Sequence, residues 1–280
     1  MTDTTRVLRH ESVTAGGNDQ PTQWLYVLHG IYGAGRNWAS VIRRIVRARP
    51  GWGALLIDLR QHGGSQGFPP PHTVEAAAGD IVVLAEHTGL PPTAILGHSF
   101  GGKVALLFAG LQDSDALEAL RQVWVIDSTP EPREPGGSAW TMLNLLRSMP
   151  ATFATRGELV DALVSHNMSA PVAQWMATNL EKQDAGYRWR FDLDALEALL
   201  LSFFETSAWD IVETPPPGVE VHLVKAAESS VLEGAALRRC EAAADTGPTF
   251  VHHIEGGHWV NAENPAAIEE LLVQWLPADV

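Results

Sequence analysis

Gly97-His98-Ser99-Phe100-Gly101 stands between two apolar runs, Thr93-Ala94-Ile95-Leu96 before it and Val104-Ala105-Leu106-Leu107-Phe108-Ala109 after it. The first run reads as a buried strand and the second as a helix, so a G-x-S-x-G pattern sits on a strand-to-helix turn. A serine hydroxyl is a poor nucleophile until it is presented in the open, beside a base, at a helix N-terminus that tolerates negative charge. Glycines at 97 and 101 permit the sharp turn, because side chains there would run into the neighbouring strand and helix. Ser99 is therefore the candidate nucleophile. The competing reading of the same five residues is an ordinary glycine-rich turn.

Outward from this turn the strand–loop pattern repeats. Leu25-Tyr26-Val27-Leu28 leads into His29-Gly30-Ile31-Tyr32-Gly33, and Leu55-Leu56-Ile57 into Asp58-Leu59-Arg60-Gln61-His62-Gly63-Gly64-Ser65. Near the C-terminus stands Gly256-Gly257-His258-Trp259. Strands are expected at 24–29, 53–58, 93–96, 123–126, 219–224 and 249–254, with helices between them. The helix after Asn37 has that residue as its N-cap, one from about Thr73 ends at Gly89, and the last is capped by Asn264 ahead of Pro265. Alternating strands and helices predict a mostly parallel sheet covered on both faces, with ligands at the carboxyl ends of the strands. Every motif quoted above falls at such an end. Residues 129–210 break the rhythm with helical spacing only (Trp140, Leu143, Leu146; Leu159, Leu163; Trp175, Met176; Leu196, Leu199, Leu200, Phe203). They read as a helical cap inserted into a core formed by 1–128 and 211–280.

Composition narrows the function. The net charge of −14 supplies no basic patch for nucleic acid or an anionic membrane surface. No apolar run is long enough to span a bilayer and the first residues carry no apolar targeting core, so the expectation is a cytoplasmic monomer or homodimer. The single cysteine, Cys240, is expected to be a solvated or half-buried structural thiol. Metal-ligand spacings, a dinucleotide fingerprint and a phosphate loop are all lacking, so neither metal nor cofactor is expected.

An H-G-x-x-G turn, a D-x-R-x-H-G-x-S turn, G-H-S-x-G-G and G-G-H-W, in this order, resemble the α/β-hydrolase superfamily and its small cap-bearing serine esterases. The resemblance covers most of 24–127 and 219–276. It implies an α/β-hydrolase fold and a cofactor-free hydrolase acting on a small ester or thioester, with the chain order serine, acid, histidine. Among 11 histidines it selects His258 as the base, just past the last strand. It implies that the oxyanion is held by the amides of Ile31 and Phe100. The Asp58–Ser65 turn is read as bracing for loops around the site.

The acid departs from the family pattern. A G-x-x-D is expected after the strand at 219–224, where this chain reads Lys225-Ala226-Ala227-Glu228-Ser229-Ser230, with Ser229 at the aspartate's place. Asp127, at the end of the 123–126 strand, is the first candidate and Glu228 the alternative, with Asp194 and Asp210 behind them. Tyr32, His98, Trp140, Leu143, Trp175 and Trp259 are the candidate pocket residues. Hydrolysis of a C–C bond, or perhydrolysis, on the same triad remains a rival. So does a non-catalytic binding protein on this fold, of which the missing acid motif would be the sign.

Overall fold

A computed structural model of the chain describes residues 6–16, 20–111 and 117–278. Its strands are β1 (His10–Val13), β2 (Gln23–Leu28), β3 (Trp52–Ile57), β4 (Ala94–His98), β5 (Gln122–Ile126), β6 (Thr152–Phe153), β7 (Leu180–Gln183), β8 (Gly186–Trp189), β9 (Glu220–Ala226) and β10 (Thr249–Ile254). Seven of them form one sheet in the order β1-β3-β2-β4-β5-β9-β10. β1 pairs antiparallel to β3, and every other neighbour in that sheet is parallel. β2 to β5 are buried along their whole length, as strands covered on both faces must be. The six expected strands are present, shifted by at most a residue or two at their ends. β1 was not anticipated, because His10-Glu11-Ser12-Val13 is a short edge strand with one buried residue.

The first three helices are α1 (Ala39–Ala48), α2 (Val74–Thr88) and α3 (Phe100–Ala109). Thr73 Oγ1 accepts from the Ala76 amide at 3.1 Å, and Gly89 closes α2 with φ 66°. Asn37 does not cap α1: a short 3₁₀ turn at Gly35–Trp38 precedes that helix, and Asn37 Oδ1 accepts from the Ala34 amide instead. The expectation failed because the tighter turn moves the helix start one residue on.

Between β5 and β9 the chain forms α4 (Gly137–Ser148), α5 (Arg156–Ser165), α6 (Ala170–Ala177), α7 (Leu193–Glu205) and α8 (Trp209–Glu213). The expectation of an all-helical segment is corrected here. β6, β8 and β7 make a small antiparallel sheet between α4 and α7. β7 and β8 form a hairpin whose sequence, Leu180-Glu181-Lys182-Gln183 and Gly186-Tyr187-Arg188-Trp189, is too short and too polar to announce itself. The chain ends with α9 (Gly234–Ala244), α10 (Val260–Glu263) and α11 (Pro265–Trp275), and Asn264 Oδ1 caps α11 as expected. Cys240, on α9, is fully buried rather than half-solvated, and burial pushes its thiol up to about 12.

Apolar side chains pack on both sheet faces. Ile42, Ile45, Leu96, Trp124 and Ile268 lie in one cluster; Tyr26, Leu55, Phe108, Val123 and Leu223 lie in the other. The segment between β5 and β9 joins the second cluster through Leu143, Leu159, Leu196 and Phe203. Lys103 of α3 ties it down further. Its buried ammonium donates to the carbonyls of Glu131, Phe203 and Thr206 at 3.0, 2.6 and 2.9 Å. Burial pulls that ammonium down to about 7, with Arg133 adding repulsion.

Candidate active site

The turn after β4 is as tight as its glycines suggest. A Cβ on Gly97 would sit 2.0 Å from the Gly101 carbonyl oxygen, and one on Gly101 would sit 2.6 Å from that of His29. Ser99 itself has φ 52° and ψ −118°. Its amide donates to the Ile126 carbonyl at 2.9 Å, fixing the turn to the end of β5. Among the described residues five non-glycine residues have positive φ: Tyr32, Gln61, Ser99, Asp127 and Asn167. Tyr32, Ser99 and Asn167 line one cavity, and Asp127 binds a histidine that lines it. Strain of this kind persists only where the surroundings enforce it, and it concentrates here.

That cavity has a volume of 210 Å³. Ser99 and His258 lie in its wall, with Ile31, Tyr32, Trp175 and Trp259. His258 Nδ1 meets Asp127 Oδ2 at 2.6 Å. With Nδ1 committed to a carboxylate, Nε2 is the nitrogen His258 has left for the cavity. Asp127 is fully buried at the end of β5; its amide donates to the Val224 carbonyl at 2.8 Å and its Oδ1 accepts from the Ala226 amide at 3.3 Å. Glu228 is exposed, and its amide is spent on the Gly256 carbonyl. Asp194 is held by Arg147 at 2.6 Å, on the surface. Of the candidate acids, Asp127 is thus the one brought to His258.

The wall under the cavity is built from the His29–Gly33 turn and the Asp58–Ser65 turn. His29 Nε2 accepts from the Leu59 amide at 3.0 Å, while its Nδ1–H donates to the Gly30 carbonyl at 2.7 Å. His62 does the same: Nε2 accepts from the Tyr32 amide at 3.3 Å, and Nδ1–H donates to the Arg60 carbonyl at 2.9 Å. Each ring is held as a neutral tautomer with one donor and one acceptor. Burial agrees, lowering both, His62 to about 3. Asp58 Oδ1 takes the Gly35 amide and Oδ2 the Gly64 amide, both at 2.8 Å, and Arg60 forms a two-bond pair with Asp80 at 2.6 and 2.9 Å. The expected bracing is therefore present. The Tyr32 amide is used internally. Those of Ile31 and Phe100 donate to no protein acceptor among the described residues.

Of the expected pocket residues, Tyr32, Trp175 and Trp259 line the cavity. His98, Trp140 and Leu143 do not. His98 is buried beneath, its Nε2–H donating to the His258 carbonyl at 2.7 Å. Trp140 packs edge-on against Phe204, and Leu143 is fully buried in the core. α4 instead presents Ser138, Ala139 and Met142 to the cavity. Helical spacing marked an apolar face of α4, but not which neighbour that face meets. A second cavity of 380 Å³ adjoins the first and shares Ser169, Val172, Trp175 and Trp259 with it.

A parallel sheet in this order, with a strained serine on a strand-to-helix turn and a histidine–aspartate pair from later strand ends, defines an α/β-hydrolase. The chain matches the alpha/beta hydrolase family over residues 25–271 and belongs to it.

The "sn-1-specific diacylglycerol lipase ABHD11" of Mus musculus is 33% identical over 176 residues, 60% of this chain and 55% of that protein. The Xenopus laevis protein of the same name is 28% identical over 251 residues, 85% and 75% of the two chains. The match thus spans about half the length of the mouse relative. A "2-succinyl-6-hydroxy-2,4-cyclohexadiene-1-carboxylate synthase" of Klebsiella pneumoniae is 32% identical over 192 residues, 59% of this chain and 71% of that one. Among solved structures, "Marine microorganism esterase" superposes with a TM-score of 0.80 at 23% identity, covering 96% and 99% of the two chains. At that identity it speaks for the fold alone. Among the described residues no helix is long and apolar enough to cross a membrane.

Proposed function

We propose that this chain is a serine esterase that cleaves small carboxylic esters or thioesters through an acyl-enzyme on Ser99. The observation that carries the reading is the convergence of Ser99 and His258 on one cavity, with Asp127 on the far nitrogen of His258. His258 Nε2 takes the Ser99 proton as the oxygen attacks the carbonyl, then returns it to the leaving alcohol or thiol. Water reverses the roles and frees the acid. Asp127 holds the imidazole in the right tautomer and stabilises the imidazolium. The free amides of Ile31 and Phe100 receive the oxyanion, a contact worth several kcal/mol when made only in the transition state. The mechanism calls for no cofactor. Residues 129–210 serve as a cap, since Met142, Val172 and Trp175 close the cavity from above the strand ends.

A cavity of 210 Å³ lies below the ~300 Å³ at which sites for drug-sized ligands begin. Its wall is mostly apolar, and among the described residues no Lys, Arg, Asp or Glu lines it. Both features favour a short or medium neutral acyl group. The test is a series of p-nitrophenyl esters from acetate to palmitate, with fluorophosphonate labelling of Ser99 as a check on the nucleophile. Turnover is expected to peak at or below the medium chains. A faster palmitoyl than butyryl ester at matched solubility overturns the size argument, and absence of labelling overturns the esterase reading. Hydrolysis of a C–C bond on the same residues is the second reading, since the relatives are not all named esterases or lipases and one is named a synthase. A chain that labels with fluorophosphonate but turns over no ester in the series would point there.

A further inference from the structure

Asp127 Oδ2 receives two donors. One is His258 Nδ1 at 2.6 Å; the other is the Ser229 hydroxyl at 2.5 Å. Ser229 lies 102 residues from Asp127 in the chain, in the loop after β9, and is buried with 7% of its surface exposed. The remaining bond to the carboxylate, from the Ala226 amide to Oδ1, is long at 3.3 Å. Without Ser229 the carboxyl plane would be fixed chiefly by the imidazole that it is supposed to orient. The direction of the Ser229 hydroxyl is itself constrained. Its oxygen accepts the Val231 amide at 3.2 Å, which leaves its hydrogen for Asp127.

The loop carrying Ser229 is secured from below. The Ser229 amide donates to the Ala226 carbonyl at 3.0 Å. Lys225, buried in β9, sends its ammonium to the Ser229 carbonyl at 2.5 Å and to that of Ala226. The place in the chain where the resembled family carries a carboxylate here supplies a hydroxyl to a carboxylate on the neighbouring strand.

We propose that Ser229 is a positioning residue of the catalytic apparatus, holding Asp127 Oδ2 in the plane that aims His258 at Ser99. The proposal rests on the reading of Asp127 as the triad acid. It has a specific kinetic signature. Ser229 touches neither substrate nor the reacting atoms, so its loss acts on kcat and leaves KM alone. It acts through Asp127, so its loss costs nothing further once Asp127 is gone.

The experiment measures kcat and KM for p-nitrophenyl butyrate in Ser229→Ala, Ser229→Thr, Ser229→Val, Asp127→Asn and the Asp127→Asn/Ser229→Ala double variant. Losing one hydrogen bond to a charged group is expected to lower kcat about tenfold in Ser229→Ala, with KM within about twofold of the parent. Thr and Val have nearly the same shape and share any crowding, so their comparison isolates the hydroxyl even where Ala weakens folding. Thr is expected to retain activity and Val to match Ala. The double variant is expected to be no slower than Asp127→Asn. Equal kcat in the Thr and Val variants overturns the proposal while leaving the triad intact. So does a full, additive loss from Ser229→Ala in the Asp127→Asn background. Parental kcat in Asp127→Asn overturns the triad reading itself, and the proposal with it.

Discussion

Ser99 is held at φ 52°, a conformation that L-residues other than glycine pay ~1–3 kcal/mol to adopt. The strain exposes the hydroxyl at the cavity wall while the amide stays bonded to Ile126. Two outcomes are expected. Ser99→Ala loses hydrolysis by on the order of 10⁶ in kcat, as removal of a triad nucleophile does. Ser99→Gly loses it equally, yet raises the free energy of unfolding above that of Ser99→Ala, because glycine tolerates the turn. Urea melts of the two variants decide the second point; equal midpoints would show that the turn stores no strain. At the acid, Asp127→Asn is expected to lower kcat by about 10⁴ through the wrong imidazole tautomer. Glu228→Gln should change it less than about twofold, since Glu228 is exposed and Asp127 is the carboxylate bonded to His258. A large loss in Glu228→Gln with little in Asp127→Asn would reverse the assignment.

Among the elements, α2 supports the site without touching it. Asp80 on α2 holds Arg60 in the turn after β3, with side chains only 13% and 7% exposed. The same turn carries His62 and Leu59, which meet the amide of Tyr32 and the imidazole of His29. Burial raises the Asp80 carboxyl even against the pull of Arg60, so the pair is costly to bury and costlier to break. Asp80→Asn leaves a buried guanidinium without a counter-charge. It is expected to destabilise the fold by ~3 kcal/mol and to reduce kcat/KM by loosening the wall that carries Ile31. Denaturant titration with steady-state kinetics on the same preparation tests this; unchanged stability would mean that Arg60 is satisfied by Pro71 alone.

For the whole molecule, the buried histidines set the acid limit. His62 is brought down to about 3 by burial and by His29, and His222 to about 4 by burial in a stack with Trp124 and Phe250. His98 is likewise lowered, chiefly by burial. Their folded pKa values lie below the ordinary ~6.5, so the unfolded chain binds more protons in the window between. Their contribution is fully present above about pH 6.5 and is lost as pH falls, toward about 4 for His222 and about 3 for His62. Each adds at most ~1.4 kcal/mol per pH unit to the slope. Unfolding free energies by urea at pH 7.5 and 5 are expected to differ by several kcal/mol, and His222→Gln should flatten the slope. Equal stability at the two pH values would contradict this account.

The sequence by itself determined much of what is local, though not the start of α1, where a 3₁₀ turn displaces the cap that Asn37 offers. An apolar run ending in Gly-His-Ser-Phe-Gly specifies a strand, a turn that only glycines permit, and a helix, because the forces involved act within ten residues. The same holds for the turns at His29 and Asp58, for the end of α2 at Gly89 and for the cap at Asn264. The parallel direction of the core strands followed from their alternation with helices; their order in the sheet did not. Only the tertiary structure decided which carboxylate meets His258. Asp127 and His258 are 131 residues apart, and β5, β9 and β10 must pair in register before the loop after β10 can bring His258 to Asp127. Tertiary packing likewise turned Met142 rather than Leu143 toward the cavity, since the rotation of α4 depends on its neighbours and not on its own periodicity. The β7–β8 hairpin formed where local propensity is weak, its bonds closed by packing that no window of sequence contains.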